Sequence, residues 1–240
     1  MHNIYQWNVF KRVFDYLKTY GFKYTIQYAL EKKLAFLFYS LFYKNKKDFF
    51  LFDGEKLNYF YSKNAPTWAN ERCVEIAIFK KIIEKEWRVG KKVLEIGNTL
   101  SHYLDVYHFS VDKYEKGDRV INEDITTFKT GEKYDLILSI STLEHVGWDE
   151  NPKEVEKIKK AFRRDLLKKE GLFIFSVPLH YNTYLDELIY KNQIKIDKKY
   201  FFNRVGKNEW IQCSEEETKI TRYGSPFFAA NSIMIGVIKK

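Results

Sequence analysis

The sequence predicts an α/β domain on a Rossmann-like, doubly wound, mostly parallel sheet of seven strands, preceded by a helical and hairpin extension. Short apolar runs alternate with helical periodicity from about residue 70 onward, and the first run, Val93-Leu94-Glu95-Ile96-Gly97, ends in glycine. The runs near 134–141 and 172–177 are Leu-, Ile- and Phe-rich throughout, as strands covered on both faces should be. Residues 1–65 differ in kind, holding 20 of the chain's 43 aromatic residues and a charge of +6 out of +9.

Taken in order, Ile26 through Tyr43 reads as a helix with an apolar face and Lys32 and Lys33 opposite, and FFLFDGEKLNYFY at 49–61 as a hairpin turning at Asp53-Gly54. Residues 1–65 are accordingly an aromatic, basic accessory or lid region, and residues 66–240 the main domain. That first segment is expected either to cap the domain or to rest on a membrane surface or a lipid-linked substrate. Asn70 is placed to cap a helix that carries Val74, Ala77, Ile78 and Ile82 on one face, with Gly90 following. Strands are expected at Val93–Gly97, His108–Asp112, Val120–Asp124, Tyr134–Ser141 and Leu172–Val177, with further strand material at Phe201-Phe202 and Trp210–Cys213 and a last strand at Ser232–Ile238. Asn151, Pro152 and Glu154 predict an N-cap, first-turn proline and capping box for a helix bearing Val155, Ile158, Phe162 and Leu166, which Gly171 ends.

Composition excludes several classes. At 240 residues, with 45% hydrophobic and 30% charged residues, the chain has ample material for a core and is neither low-complexity nor disordered. Cys73 and Cys213 make no disulfide framework and lack zinc-site spacing, so a reducing, cytoplasmic setting is expected and no metal centre. The longest nearly uncharged apolar run, Leu34–Tyr43, is ten residues, where a spanning helix needs roughly twenty. The net charge of +9 favours acidic partners, yet Arg supplies only 8 of 41 basic residues and no nucleic-acid module is visible, which makes nucleic acid the weaker partner class. Oligomeric state is not legible.

In a sheet of this kind ligands bind beyond the carboxyl ends of the strands, so the residues just after each strand carry the chemistry. Here they are Glu95 to Ser101, Asp112, Asp124-Ile125 and Ser139 to His145. A glycine lets backbone approach a ligand, and an acid ending the second strand can accept both ribose hydroxyls. Together they describe an adenosine pocket. A dinucleotide would need the three-glycine loop over a helix N-terminus, and only Gly97 is present; S-adenosylmethionine has no phosphate and carries two cationic groups.

The ordered strings VLEIG, VDKYE, EDI and YDLILSISTLEHVG resemble the motif set of class I S-adenosylmethionine-dependent methyltransferases over roughly residues 90–180. GN-x-LSHY and STLEHVGWDE are similar to uncharacterised members associated with surface-glycan biosynthesis. The resemblance implies S-adenosylmethionine as cofactor, S-adenosylhomocysteine as product, and a cofactor site of Glu95, Gly97, Asn98, Thr99, Ser101, Asp112, Asp124, Ile125 and Ser139. Thr99 and Ser101 stand where the family's second and third loop glycines usually lie, and only the ten residues 98–107 separate Gly97 from the second strand, so the loop and its helix must be short. His145 is the first candidate for a general base, since its pKa lies near operating pH, and Glu144 is the second.

His180, Tyr181 and Asn182, beyond the fifth strand, are expected on the substrate side. Lys157, Lys159, Lys160, Arg163 and Arg164 read as a solvated helix face, and Arg72 and Glu75 either reach the cofactor or pair with each other. The expected reaction is methyl transfer to a small-molecule or glycan acceptor, on oxygen. The alternatives are a nucleic-acid methyltransferase, or a protein of the same fold that binds cofactor without turnover.

Overall fold

A computed structural model describes residues 26, 29, 30, 32–86 and 90–240. Ten strands are present among them: β1 (Phe49–Phe52), β2 (Glu55–Asn58), β3 (Val93–Ile96), β4 (Phe109–Val111), β5 (Val120–Ile121), β6 (Tyr134–Ile140), β7 (Leu167–Pro178), β8 (Lys198–Gly206), β9 (Glu209–Cys213) and β10 (Ser232–Lys239). β1 and β2 form a hairpin, and the other eight make one sheet in the order β5-β4-β3-β6-β7-β10-β8-β9. Strands β5 through β7 run parallel, while β10 enters antiparallel beside β7 and β8-β9 continue antiparallel to the edge. The fold is therefore the mostly parallel, Rossmann-like α/β class, with eight strands where seven were expected. The extra strand arises because 198–206 and 209–213 fold on each other as a hairpin.

The chain leaves β3 toward β4 and β5, then returns across it to β6, so the connections diverge between β3 and β6 and open a crevice at their carboxyl ends. Alternating residues bury both faces. Ile137, Phe173, Phe175 and Met234 pack on one side against Ile158, Leu185 and Leu188. Leu136, Leu138, Ile174 and Ile235 pack on the other against Val74, Ile78 and Phe79 of helix α1 (Arg72–Glu86). Seven consecutive α1 residues, Cys73 to Phe79, are buried, so the first half of this helix is covered all round rather than on the single face that its periodicity suggests.

Three local expectations change. Strand β5 is two residues long, because the chain turns at Asp124, whose carboxylate accepts from Thr126 N at 3.0 Å. The helix expected after Pro152 is a 3-10 turn (Val155–Lys157), α2 (Ile158–Ala161) and a second 3-10 turn (Arg164–Leu166); the capping box does not form. Gly171 sits inside β7, where a Cβ would lie 2.9 Å from Lys168 O. The capping box that does form is at Ser214 and Glu217 of α4 (Glu215–Thr218).

The β1–β2 hairpin turns at Asp53-Gly54 as expected, both with positive φ (52° and 81°). Phe50 packs edge-on against Phe202, and Tyr59 Oη accepts from Trp210 N at 2.8 Å, so the hairpin belongs to the core of the main sheet. Ala35–Phe38 is α-helical and Tyr39–Tyr43 continues as a π-helical turn. Residues 1–25 of the expected accessory region lie outside the described residues.

Candidate active site

A cavity of about 260 Å³ opens at the carboxyl ends of β3, β4 and β6. It is lined by Gly97, Asn98, Thr99, Asp112, Asp124, Ile125 and His145 among the residues singled out from sequence, and by none of the described residues before Arg72. Gly97 is obligatory: its φ is +85°, and a Cβ there would meet Thr142 Oγ1 at 2.2 Å.

Several expected ligand-binding side chains serve the loop itself. Glu95 is fully buried beneath the cavity; its Oε1 accepts from Thr99 N and Leu100 N, both at 2.9 Å, and its Oε2 lies 2.9 Å from His108 Nε2. This carboxylate takes the place of a helix in holding the turn after β3, which is only the 3-10 turn Leu100–His102. Ser139 Oγ donates to Ile96 O at 3.0 Å and ties β6 to β3 below the cavity. Ser101 points to Asn98 Oδ1 at 2.8 Å and stands outside the cavity.

Asp112 and Asp124 both line the wall, in different electrostatic states. Asp112 Oδ1 accepts from Tyr114 N (2.8 Å) and Glu115 N (2.7 Å), and among the described residues Oδ2 has no partner. Asp124 Oδ2 is gripped by Lys157 at 2.9 Å and Lys113 at 3.1 Å. Burial works to raise its pKa, but hydrogen bonds from Lys157, Thr126 and Lys113 outweigh burial and hold it far below the usual carboxylate range. Glu150 bonds the same two lysines, so Lys157, expected on a solvated face, is instead paired behind the wall that Asp124 and Glu150 give to the site. Arg163 likewise donates to Ile125 O (2.8 Å) and Phe128 O (2.7 Å), which fixes the turn carrying Ile125.

On the opposite wall, Arg72 pairs with buried Glu75 at 2.5 Å, and Glu75 Oε1 accepts from Ser141 Oγ at 2.6 Å. Burial opposes the Arg72 charge, but Glu75 and Glu71 outweigh it, so the guanidinium at the cavity wall stays protonated. Ser141 adopts φ +38°, a left-handed conformation that turns the chain abruptly after β6.

His145 sits on the 3-10 turn Leu143–His145 at the rim. Its Nδ1 lies 2.5 Å from Asp149 Oδ2, and Tyr181 Oη donates to both Asp149 oxygens at 2.9 and 3.0 Å. The two rings meet edge to face at 5.0 Å. Burial lowers the His145 pKa, but Glu144 and Asp149 raise it by more, so the net shift is upward. Glu144 is buried below, its Oε1 3.5 Å from His145 Nε2, with a pKa that burial raises to about 7.

Of the three residues expected on the substrate side, only Tyr181 joins this cluster. Asn182 caps α3 (Thr183–Tyr190), accepting from Leu185 N at 3.0 Å and donating to Glu144 O at 2.8 Å. His180 is held between Asp186 and Thr218 O, its N–H and Nε2 each at 2.9 Å. Sequence reasoning missed Asp149, although its spacing of four from His145 is a helical one. It also missed Lys113 and Tyr103, which line the cavity and carry no sequence signal of their own.

No family model matches the chain, and no curated protein matches it. Among solved structures it is similar to the N-methyltransferase NodS from Bradyrhizobium japonicum in complex with S-adenosyl-L-homocysteine (12% identity, TM-score 0.44, covering 71% of this chain and 87% of that one). It is also similar to coclaurine N-methyltransferase bound to N-methylheliamine and the same product (14%, 0.41, 70% and 73%). A third is an S-adenosylmethionine-dependent methyltransferase from Clostridium acetobutylicum (14%, 0.37, 86% and 97%). At these identities and TM-scores the likenesses carry no weight of their own, and the α/β class stands on the strand order.

Proposed function

We propose that the chain is an S-adenosylmethionine-dependent methyltransferase that acts on a hydroxyl of a small-molecule or glycan acceptor. The observation that carries this reading is the Asp149–His145–Tyr181 cluster at the rim of a cavity whose walls suit an adenosine and an amino acid moiety. The donor set fits: Asp112 Oδ2 is available to ribose hydroxyls, Ile96, Val111 and Ile125 give apolar wall to a base, and the protonated Arg72 offers a partner to a carboxylate. Glu95, spent on the loop, does not reach the ligand. The bound cofactor supplies an electrophilic methyl group on a cationic sulfonium.

The chain's own residues then have two tasks. Loop and walls hold the acceptor in line and exclude water. His145 takes the acceptor's hydroxyl proton at Nε2 while Asp149 accepts from Nδ1–H, which fixes the ring and its tautomer and stabilises the cation that forms. Asp149 is a positioning residue in this scheme, and Tyr181 holds Asp149.

The test is incubation with isotopically labelled methyl donor and extracts fractionated into glycans, lipids, RNA and small metabolites. Label in the glycan or small-molecule fraction, lost in His145→Ala while S-adenosylhomocysteine still binds, supports the reading. Label in RNA alone, or binding with no label in any fraction, overturns it.

A further inference from the structure

Leu34 N donates to Leu30 O (2.8 Å) and Phe38 N to Leu34 O (3.0 Å), but Leu34 leaves helical geometry (φ −107°, ψ 22°) and Tyr39–Tyr43 is a π-helical turn, so the segment before β1 is helical in short pieces. Ile26, Leu30, Leu34, Leu37 and Leu41 follow one another four, four, three and four apart along it, and all five are exposed, between 41% and 65%. Phe36 and Phe42 join this stripe at 68% and 62% exposed. The other side is occupied: Ala35 is buried, and Tyr43 stacks on the buried Trp68 with ring centroids 4.4 Å apart. The segment is therefore anchored to the domain while a row of its apolar side chains is left exposed, far more than scattered surface residues explain.

Charge selects the occupant. Between residues 32 and 47 there are five lysines and no acidic residue, and they bracket the uncharged run Leu34–Tyr43. Lys32, Lys33, Lys44 and Lys47 are exposed. A second copy of the chain on this face would bring like charges together, whereas an anionic headgroup layer offsets them and accepts the leucine and phenylalanine side chains just below it. Lysine stems reach along an apolar surface and keep the ammonium groups at the polar boundary. No helix among the described residues is long and apolar enough to cross a membrane, so the geometry is that of a helical segment lying in the interface plane.

We propose that this stripe docks the protein on an anionic lipid bilayer surface. The experiment is flotation of the full chain with vesicles of phosphatidylglycerol and phosphatidylcholine in equal parts, beside vesicles of phosphatidylcholine alone. The chain should float with the anionic vesicles and be released by high salt. A Leu37→Ser, Leu41→Ser variant should lose at least about a hundredfold in partitioning, as removal of two inserted leucine side chains requires. A Lys44→Gln, Lys47→Gln variant should lose about thirtyfold, toward the level on neutral vesicles. Both pairs are exposed, so both variants should melt with the unaltered chain. Absence of the unaltered chain from the anionic vesicles, or partitioning untouched by both substitutions, overturns the proposal. So does a self-associated chain that ignores vesicles and dissociates in the leucine variant, which would make the stripe an interface between copies.

Discussion

At the parallel end of the sheet, β5-β4-β3-β6, carboxylates do the work that helices do elsewhere in such folds; at the antiparallel end, β10-β8-β9 with the β1–β2 hairpin, aromatic rings do it. Glu95 organises the turn after β3, Asp112 the turn after β4 and Asp124 the turn after β5, each by accepting hydrogen bonds. Phe50, Tyr59, Phe202 and Trp210 close the other end by packing. A loop held by a carboxylate can be short and still leave polar atoms facing a cavity, whereas an aromatic cluster fills its space completely. The first end holds the cavity described above, and none of the residues of the β1–β2 hairpin lines it.

Four measurements break or sharpen that contrast. The largest effect is expected at the rim. His145→Ala should lower turnover by about 10²- to 10⁴-fold with little change in S-adenosylhomocysteine affinity, as loss of a general base requires. Because the neighbouring carboxylates raise the His145 pKa, the unaltered enzyme should gain activity with rising pH through a midpoint above the ordinary histidine value. Asp149→Asn should move that limb to lower pH, a shift that a purely structural role would not produce. Steady-state pH profiles of both variants decide the matter, and equal loss of affinity and turnover would remove His145 from the chemistry.

Phe50→Ala is the counterpart at the aromatic end. It should cost about 3–5 kcal/mol of stability, as deletion of a buried phenyl does. Cofactor affinity in the folded fraction should be unchanged, because no residue of the hairpin lines the cavity. Denaturant unfolding and calorimetry check the two halves separately; a large loss of affinity would join the two ends energetically.

Glu144 gives a pH-dependent test. Its folded pKa is raised from 4.5 to about 7, so the folded state holds a proton that the unfolded state releases between those values, and stability falls as pH rises through that window. Glu144→Gln should match the unaltered protein below the lower value and exceed it by up to about 3 kcal/mol above the upper one. A difference independent of pH would mean that the buried carboxyl is not titrating there.

The smallest effect is expected at Asp112. Asp112→Ala should weaken S-adenosylhomocysteine binding by about 1.5–3 kcal/mol, the worth of a hydrogen bond to a charged group. Titration calorimetry with unchanged affinity would assign Asp112 wholly to its turn.

The apolar runs at 93–97, 134–141, 172–177 and 232–238 were legible because a strand buried on both faces has to be apolar along its whole length, and four such runs define a sheet. The hairpin was legible from Asp53-Gly54, since few residues tolerate two consecutive positive φ angles. Gly97, Asp112, Ile125 and His145 were legible as cavity-lining residues because the crevice of this architecture opens at the strand ends. Roles within the site were not. Whether a carboxylate serves a ligand or only its own loop depends on what its second oxygen meets: Glu95 and Asp112 each accept from two backbone N–H groups of the following turn, but Glu95 Oε2 lies against His108 below the cavity while Asp112 lines the cavity itself. The expected helix at 152–166 is interrupted where the backbone leaves helical geometry at Phe162 (ψ 69°) and Arg163 (ψ 56°), beside Arg163 contacts to the carbonyls of Ile125 and Phe128 that are distant in sequence. Arg72 reaches the cavity wall, and Asp149 and Tyr181 meet at His145 on its rim, through contacts between segments distant in sequence. The sequence by itself determined the sheet, its burial and the strand ends where chemistry collects, because these follow from local periodicity. Only the tertiary structure decided which of the collected charges neutralise one another and which remain to face a ligand, because that depends on distances between residues far apart in the chain.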